Sequence, residues 1–419
     1  MDSLKIKGGR PLKGDVEISG AKNAALPVMA ASLLTGGTHS LKRIPNLRDI
    51  ATMGKLLSYM GAEYHYDQGA VTLETSRIKK HEAPYDLVKT MRAAVLVLGP
   101  LVARFGNASV SLPGGCAIGA RPINLHLMGL EKMGARITLE SGYVHAKASR
   151  LKGATICFDM PTVTGTENLM MAACLAKGTT VLENAAREPE IVDLADCLAA
   201  MGAKIHGAGE SAIEIQGVDE LRPITAYTVI PDRIETGTFM AIAAACGGDV
   251  TLKGCRPDNL DSVIMKFKDA GVAFHETKKG LRVVGPSRLT ARDIKTAPYP
   301  GFPTDMQAQF MAMMTVARGT SVVKETIFEN RYMHVAELKR MGADICIEGG
   351  IATIRGTEKL KGAPIMATDL RASASLVVAA LCARGESIIH RIYHLDRGYD
   401  HMDEKLRTIG AQVERVRPS

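Results

Sequence analysis

MGAKI at residues 201–205 is one copy of a phrase that the chain writes six times, as MGAEY at 60–64, MGARI at 133–137, MGAKI itself, AGVAF at 270–274, MGADI at 341–345 and IGAQV at 409–413. Its glycine falls at Gly61, Gly134, Gly202, Gly271, Gly342 and Gly410, so successive copies lie 73, 68, 69, 71 and 68 residues apart. Self-similarity at so regular a period marks an internal repeat. Each phrase follows a stretch such as DIATMGKLLSYM (49–60) or EIVDLADCLAAM (190–201), whose apolar residues recur at three and four, and leads into a strand-like run such as ARITLE (135–140). The pattern predicts helix, glycine, strand, with the glycine adopting the left-handed conformation that ends a helix at little steric cost.

A second kind of segment lies upstream: NAALPVMAASLLTGGTHSL (23–41), ENLMMAACLAKGTTVLENA (167–185), TGTFMAIAAACGGDVTLKG (236–254) and SASLVVAALCARGESIIHR (373–391). Their alanine, methionine and serine content predicts helices buried on most sides and packed closely on one another. Six βαβ-containing units of this length make two three-unit domains, whereas a solenoid would repeat every 20 to 50 residues or so. The 419-residue length also exceeds one compact core.

Composition narrows the function. With 46% hydrophobic and 23% charged residues, wholesale disorder is excluded. MDSLKIKGGRPLKG (1–14) contains no apolar secretory segment, and the longest apolar run, AAVLVLGPLVA (93–103), is too short to span a bilayer. A soluble cytoplasmic protein without a membrane partner is expected. Eight cysteines without a CxxC pair argue for a reduced compartment, with most thiols buried in the core. His390 and His394 are four apart but lack a zincin-type acidic partner, so neither a metal site nor a cofactor is predicted. The net charge of +8 implies an anionic partner: nucleic acid, anionic lipid or a phosphorylated metabolite. Basic residues are dispersed, in nothing longer than pairs such as Lys79-Lys80 and Lys278-Lys279, and tryptophan is absent. Nucleic-acid binders concentrate charge or interleave it with stacking aromatics, so small phosphorylated ligands fit better.

The small-residue helices begin with polar or charged residues: Lys22 and Asn23, Arg92, Thr166 and Glu167, Arg233 and Glu235, Asp305, and Arg371. Repeat symmetry makes these equivalent positions whose helix N-termini converge, and their free N–H groups and dipoles attract anions. Lysine and arginine are poor caps at that end, which favours a ligand-binding role over simple capping. In SLPGGCAIGARP (111–122), glycines bracket Cys116, and Arg121 follows five residues later. That composition suits a lid carrying a thiol, whereas structural cysteines sit in apolar runs as Cys174 and Cys246 do.

KNAALP (22–27), PGGCAIGARP (113–122), REPEIVDLA (187–195), PTDMQAQ (303–309), FENRYMH (328–334), DLRASASL (369–376) and HLDRGYDH (394–401) resemble the UDP-N-acetylglucosamine 1-carboxyvinyltransferase family of enolpyruvyl transferases nearly end to end. The resemblance implies a two-domain inside-out α/β barrel with helices buried inside. One domain spans 22–229 and carries the Cys116 loop, the other combines 1–21 with 230–419, and the substrates lie in the cleft between them. It implies transfer of the enolpyruvyl group of phosphoenolpyruvate to the 3′-hydroxyl of UDP-N-acetylglucosamine by addition and elimination, the first committed step of peptidoglycan precursor synthesis. A monomer needing no cofactor and no nucleic acid is expected.

Protonation at C3 of phosphoenolpyruvate requires a general acid, and the sugar hydroxyl requires a general base. The resemblance points to Cys116, the fosfomycin target in the family, and to Asp305. Asp369 is a further candidate for proton handling. Asp305 opens a repeat helix, where the dipole favours its carboxylate, and plain N-capping is the alternative reading. For phosphoenolpyruvate the family pattern offers Lys22, Asn23, Arg121, Arg331, Arg371 and Arg397, the guanidinium fork suiting phosphate and carboxylate alike. For the nucleotide sugar it marks Asn23, Arg92, Arg121, Pro122, Ile123, Asn124, Leu125, Thr162, Val163, Thr164, Asp305 and Ile327. Two alternatives stay open: a shikimate-pathway transferase acting on shikimate 3-phosphate, and a basic binding scaffold with steeply salt-dependent affinity for nucleic acid.

Overall fold

Six four-stranded sheets share one plan in the computed structural model, which describes residues 2–112 and 123–417. The third unit illustrates it, running from the edge strand Thr155–Cys157 through helix Val163–Ala173, strand Thr179–Glu183 and helix Pro189–Ala200 to a hairpin of Lys204–His206 and Ala212–Gln216. The edge strand lies parallel to Thr179–Glu183, with Ile156 beside Leu182, and the hairpin lies antiparallel, with Val181 opposite Glu214. A parallel pair needs a crossover helix and an antiparallel pair only a turn. The βαβ element expected from the sequence is thus the first half of a longer unit, βαβ followed by a helix and a hairpin.

Contacts divide the described chain into two compact units, 20–112 with 123–230 and 2–19 with 231–417. Each has its own hydrophobic core. The first closes on itself because Tyr227–Thr228, after the third repeat, becomes the parallel edge strand of the first repeat beside Thr38–Lys42. The second closes through the opening residues of the chain. Lys13–Glu17 lies parallel to Asp249–Lys253, and Ser3–Lys7 runs antiparallel between Glu386–His390 and Gln412–Val416. Ser3–Lys7 occupies the place that the second hairpin strand fills in the other five sheets.

Inside one unit lie the helices Lys22–Ala31, Leu98–Phe105 and Val163–Ala173, and inside the other lie Arg233–Ala245, Gln307–Met314 and Leu370–Cys382. Every residue of Gln307–Met314 is buried, and Leu370–Cys382 is buried without a break from Arg371 to Leu381. A helix apolar all round must be covered all round, and the sheets and the amphipathic helices do so. The amphipathic helix Arg48–Met60 buries only a stripe of Asp49, Ile50, Met53, Gly54, Leu56, Leu57 and Met60.

Each amphipathic helix ends as its glycine predicts. Gly202 has φ +103°, its N–H donates to Ala199 C=O at 2.9 Å, and the N–H of Ala203 donates to Leu198 C=O at 2.9 Å. This 6→1 and 5→2 pair of bonds is a Schellman turn, and it recurs at the other five glycines of the phrase, whose φ values lie between +84° and +114°. A Cβ at Gly202 would meet nothing within 4 Å, so substitution there reports backbone strain alone. Gly202→Val is expected to destabilise its unit by roughly 1–3 kcal/mol. Urea denaturation checks this, and an unchanged midpoint would remove the left-handed turn from the account of the fold.

Candidate active site

In the unit holding residues 231–417, the inner helices open on carboxylates. Asp232 caps Arg233–Ala245, its Oδ1 accepting from the N–H groups of Ile234 (2.7 Å) and Glu235 (2.9 Å). Asp369 caps Leu370–Cys382 in the same way, accepting from the N–H groups of Arg371 (2.9 Å) and Ala372 (3.0 Å). Asp305 lies in the 3-10 turn Thr304–Met306 that leads into Gln307–Met314. Its Oδ1 accepts from Arg331 Nη2 at 2.7 Å, and its Oδ2 accepts from Arg371 Nε at 3.1 Å and Nη2 at 2.9 Å.

Three of the expected site residues, Asp305, Arg331 and Arg371, are therefore one cluster. The two arginine side chains are 4% and 3% exposed and the aspartate side chain 28%. Guanidinium groups so deeply buried need a charged, hydrogen-bonded partner, and a carboxylate between them supplies it. Burial opposes the Arg371 charge, but Asp305, Tyr399 and Asp232 together hold its pKa above the ordinary arginine value. Behind Arg371, the Tyr399 hydroxyl bonds the Thr238 hydroxyl (2.9 Å), and Gln309 Nε2 donates to both oxygens (3.1 and 3.2 Å). Two of the three inner helices, Arg233–Ala245 and Gln307–Met314, are tied to Tyr399 there. Ile327 is exposed, and Arg397 ends the half-buried turn Ile392–Arg397.

In the other unit Lys22 is the first residue of its helix, and its Nζ lies 3.2 Å from Asp49 Oδ2. A cation at a helix N-terminus is disfavoured by the dipole, and the buried Asp49 carboxylate compensates. Asn23 follows it, half-buried, and Arg92 opens the turn Arg92–Val97 ahead of Leu98–Phe105. Thr162 caps Val163–Ala173, its hydroxyl accepting from the N–H of Gly165 at 3.3 Å. The Asn168 amide donates to His126 Nδ1 at 2.9 Å, so Nε2 carries the imidazole proton and donates to the Thr164 hydroxyl at 3.3 Å. Burial pushes His126 down to about 4, which keeps it neutral in that role. Ile123 and Leu125 flank Asn124, the exposed first residue of helix Asn124–Lys132.

Two residues read from the sequence as helix starts lie one turn inside instead, because Thr162 is the cap. The Thr166 hydroxyl accepts from the Ala186 N–H at 3.1 Å. Glu167 is buried, and burial, reinforced by Glu190 and Glu188, raises its carboxyl well above the usual range. Cys116, Arg121 and Pro122 lie outside the described residues. Among the described cysteines, only Cys174 and Cys197 are buried, Cys157 and Cys346 are exposed, and Cys246, Cys255 and Cys382 lie between. Cys174 and Cys197 match the expectation of core thiols, Cys246 and Cys255 pack against a core partly buried, and Cys157 and Cys346 depart from it because they occupy outward-facing strand positions.

Asp49, His126, Asn168, Thr304 and Tyr399 were not singled out in the sequence. The signal available was a polar residue within an otherwise apolar inner helix, as Asn168 is in NLMMAAC. Among the described residues, no group of three or more His, Cys, Asp or Glu side chains is placed to hold a metal ion. Among the same residues, no helix is long and apolar enough to cross a membrane.

Inner helices wrapped by sheets are a build shared with solved enolpyruvyl transferases. The enolpyruvyl transferase NikO from Streptomyces tendae is similar in structure with a TM-score of 0.88 at 25% identity, over 99% of this chain and 98% of that one. EPSP synthase from Acinetobacter baumannii, 21% identical, shares the fold with a TM-score of 0.75 over the whole of both chains. The EPSP synthase (3-phosphoshikimate 1-carboxyvinyltransferase) family model matches residues 6–406, and the chain belongs to this family. Two curated relatives carry the name UDP-N-acetylglucosamine 1-carboxyvinyltransferase. The protein of Thermodesulfovibrio yellowstonii is 68% identical over 417 residues, covering 100% of both chains, and that of Magnetococcus marinus is 58% identical over 418 residues, covering 99% of this chain and 100% of its own.

Thiol chemistry follows from burial. Burial pushes the Cys174 thiol up to about 12 and also raises that of Cys197, so both are protonated and inaccessible. Iodoacetamide at mildly alkaline pH is expected to alkylate Cys157 and Cys346 and to spare Cys174 and Cys197 in the folded protein. Peptide mass mapping checks this, and labelling of Cys174 as fast as Cys157 would contradict the packing described.

Proposed function

We propose that this chain transfers the enolpyruvyl group of phosphoenolpyruvate to the 3′-hydroxyl of UDP-N-acetylglucosamine, releasing phosphate, as a monomer in the cytoplasm. The observation that carries this reading is the end-to-end 68% identity to a relative of that name, against 21% to a shikimate-pathway enzyme that shares the fold.

In the addition step C3 of phosphoenolpyruvate takes a proton, C2 bonds to the sugar oxygen, and the hydroxyl proton goes to a base. In the elimination step C3 gives up a proton, the C2–O bond to phosphate breaks, and phosphate leaves. Cys116 is the acid in this reading and Asp305 the base. The clamp on Asp305 supports that role. Two guanidinium groups hold the carboxylate in place, one on each oxygen. A substrate carboxylate bound by Arg331 and Arg371 would share those cations with Asp305. Lys22, Asn23, Arg121 and Arg397 would hold the rest of phosphoenolpyruvate. Arg92, Pro122 to Leu125, Thr162 to Thr164 and Ile327 would hold the nucleotide sugar. Asp369, which caps Leu370–Cys382, remains a candidate for proton handling.

Phosphate release measured with phosphoenolpyruvate and each acceptor separates the two family activities. Turnover is expected with UDP-N-acetylglucosamine and none with shikimate 3-phosphate, and the reverse would refute the proposal. Asp305→Asn keeps the shape but cannot take up the hydroxyl proton. Its kcat is expected to fall by about 10²–10⁴-fold, while calorimetric affinity for UDP-N-acetylglucosamine changes little. Lost binding with kcat preserved would instead make Asp305 a positioning group.

A further inference from the structure

Glu325 follows strand Thr320–Lys324, is 6% exposed, and has no part in the chemistry described so far. A buried carboxylate is costly unless donors replace its water. Four do so. Oε1 accepts from the Thr296 hydroxyl (2.9 Å) and from the N–H groups of Ile327 (2.8 Å) and Phe328 (3.3 Å), and Oε2 accepts from the Thr304 hydroxyl (2.9 Å). Three of these partners belong to the segments that carry Arg331 and the carboxylate it clamps. Ile327 and Phe328 lead into Arg331, and Thr304 immediately precedes Asp305.

The Thr304 hydroxyl has one proton. With that proton on Glu325, its lone pairs face outward, and Arg331 Nη1 donates to it at 3.2 Å. Arg331 Nη2 then reaches Asp305 Oδ1 at 2.7 Å, and Asp305 Oδ2 receives Arg371 Nη2 at 2.9 Å. Glu325, Thr304, Arg331, Asp305 and Arg371 form one unbroken line in which negative and positive groups alternate. A guanidinium held at both ends of its fork cannot pivot, and a fixed fork presents a fixed geometry to a carboxylate.

We propose that Glu325 is a positioning residue that acts through the Thr304 hydroxyl to fix the Arg331 fork, and through Arg331 the Asp305 carboxylate. This rests on the reading of Arg331 and Asp305 given under Proposed function. Glu325 touches neither reacting atom. Its effect is to set where the clamp stands before substrate arrives, and small displacements of such groups are expensive in rate.

Thr304→Val removes the hydroxyl at nearly constant volume and leaves the bonds of Glu325 to Thr296, Ile327 and Phe328 in place. The purified full chain should show a KM for phosphoenolpyruvate raised about tenfold or more and a kcat lowered about tenfold, with the KM for UDP-N-acetylglucosamine within about twofold. Thr304→Ser, which restores the hydroxyl, should recover most of the loss. A thermal melt run beside the assay separates positioning from mere support of the fold. Kinetic constants of Thr304→Val equal to those of the unmodified chain overturn the inference. So does a loss that tracks the folded fraction, or that Thr304→Ser fails to rescue. Absence of turnover in the unmodified chain would overturn the functional reading and this inference with it, whereas turnover matched by Thr304→Val overturns this inference alone.

Discussion

A helix with no polar face has to be covered on every side. In each compact unit three such helices pack on one another, leaving their flanks to three sheets and an outer layer of amphipathic helices. The outer elements carry the polar surface. The one place where an inner helix can present polar chemistry is its end, where the first N–H groups lack partners within the helix. Asp232, Asp305, Asp369, Lys22 and Thr162 all stand at or just before those starts. Burial of the inner helices thus decides where reactive groups can be, and the repeat multiplies the position sixfold.

Charge at these starts is not left to solvent. Lys22 is matched by Asp49, and Arg331 and Arg371 share Asp305. Each arrangement resolves a conflict between a group the local field disfavours and a ligand that needs it. The cation is kept charged in a dry setting by a nearby carboxylate, which an incoming anion can supplement. Neutral groups follow the same logic: His126 stays uncharged because it is buried, and its fixed tautomer aims one proton at Thr164.

How much of this was legible in the sequence depended on range. The six glycines were readable because a left-handed residue after a helix is a local demand, met within five residues of chain. The inner helices were readable from their small, apolar composition. The clamp was not. Asp305, Arg331 and Arg371 each stood out as candidates, but nothing in PTDMQAQ, FENRYMH or DLRASASL says that one carboxylate bridges two arginines 26 and 66 residues away. Thr166 and Glu167 were placed one turn early because the true cap, Thr162, lies outside the apolar run that defined the helix. The exposure of Cys157 and Cys346 was not legible because a strand alternates faces and composition alone does not say which face a residue takes. Tyr399 stood unremarked within HLDRGYDH and Glu325 lay in no motif, and their partners are set by tertiary packing.

Closure of the second unit by Ser3–Lys7 bears on how the protein is born. That strand pairs with Glu386–His390 and Gln412–Val416, more than 375 residues later in synthesis. At about 5–20 residues per second, a ribosome takes roughly 20 to 80 s to deliver those partners. In the later part of that interval residues 20–230, whose own edge strand Tyr227–Thr228 arrives with them, can already be folded. The opening strand waits with its backbone groups unpaired, and an unpaired edge invites wrong partners. The interrupted layout therefore lets one half of the molecule mature early and makes the other the last to form. Nascent chains stalled late in translation are consequently the species on which holding chaperones would act.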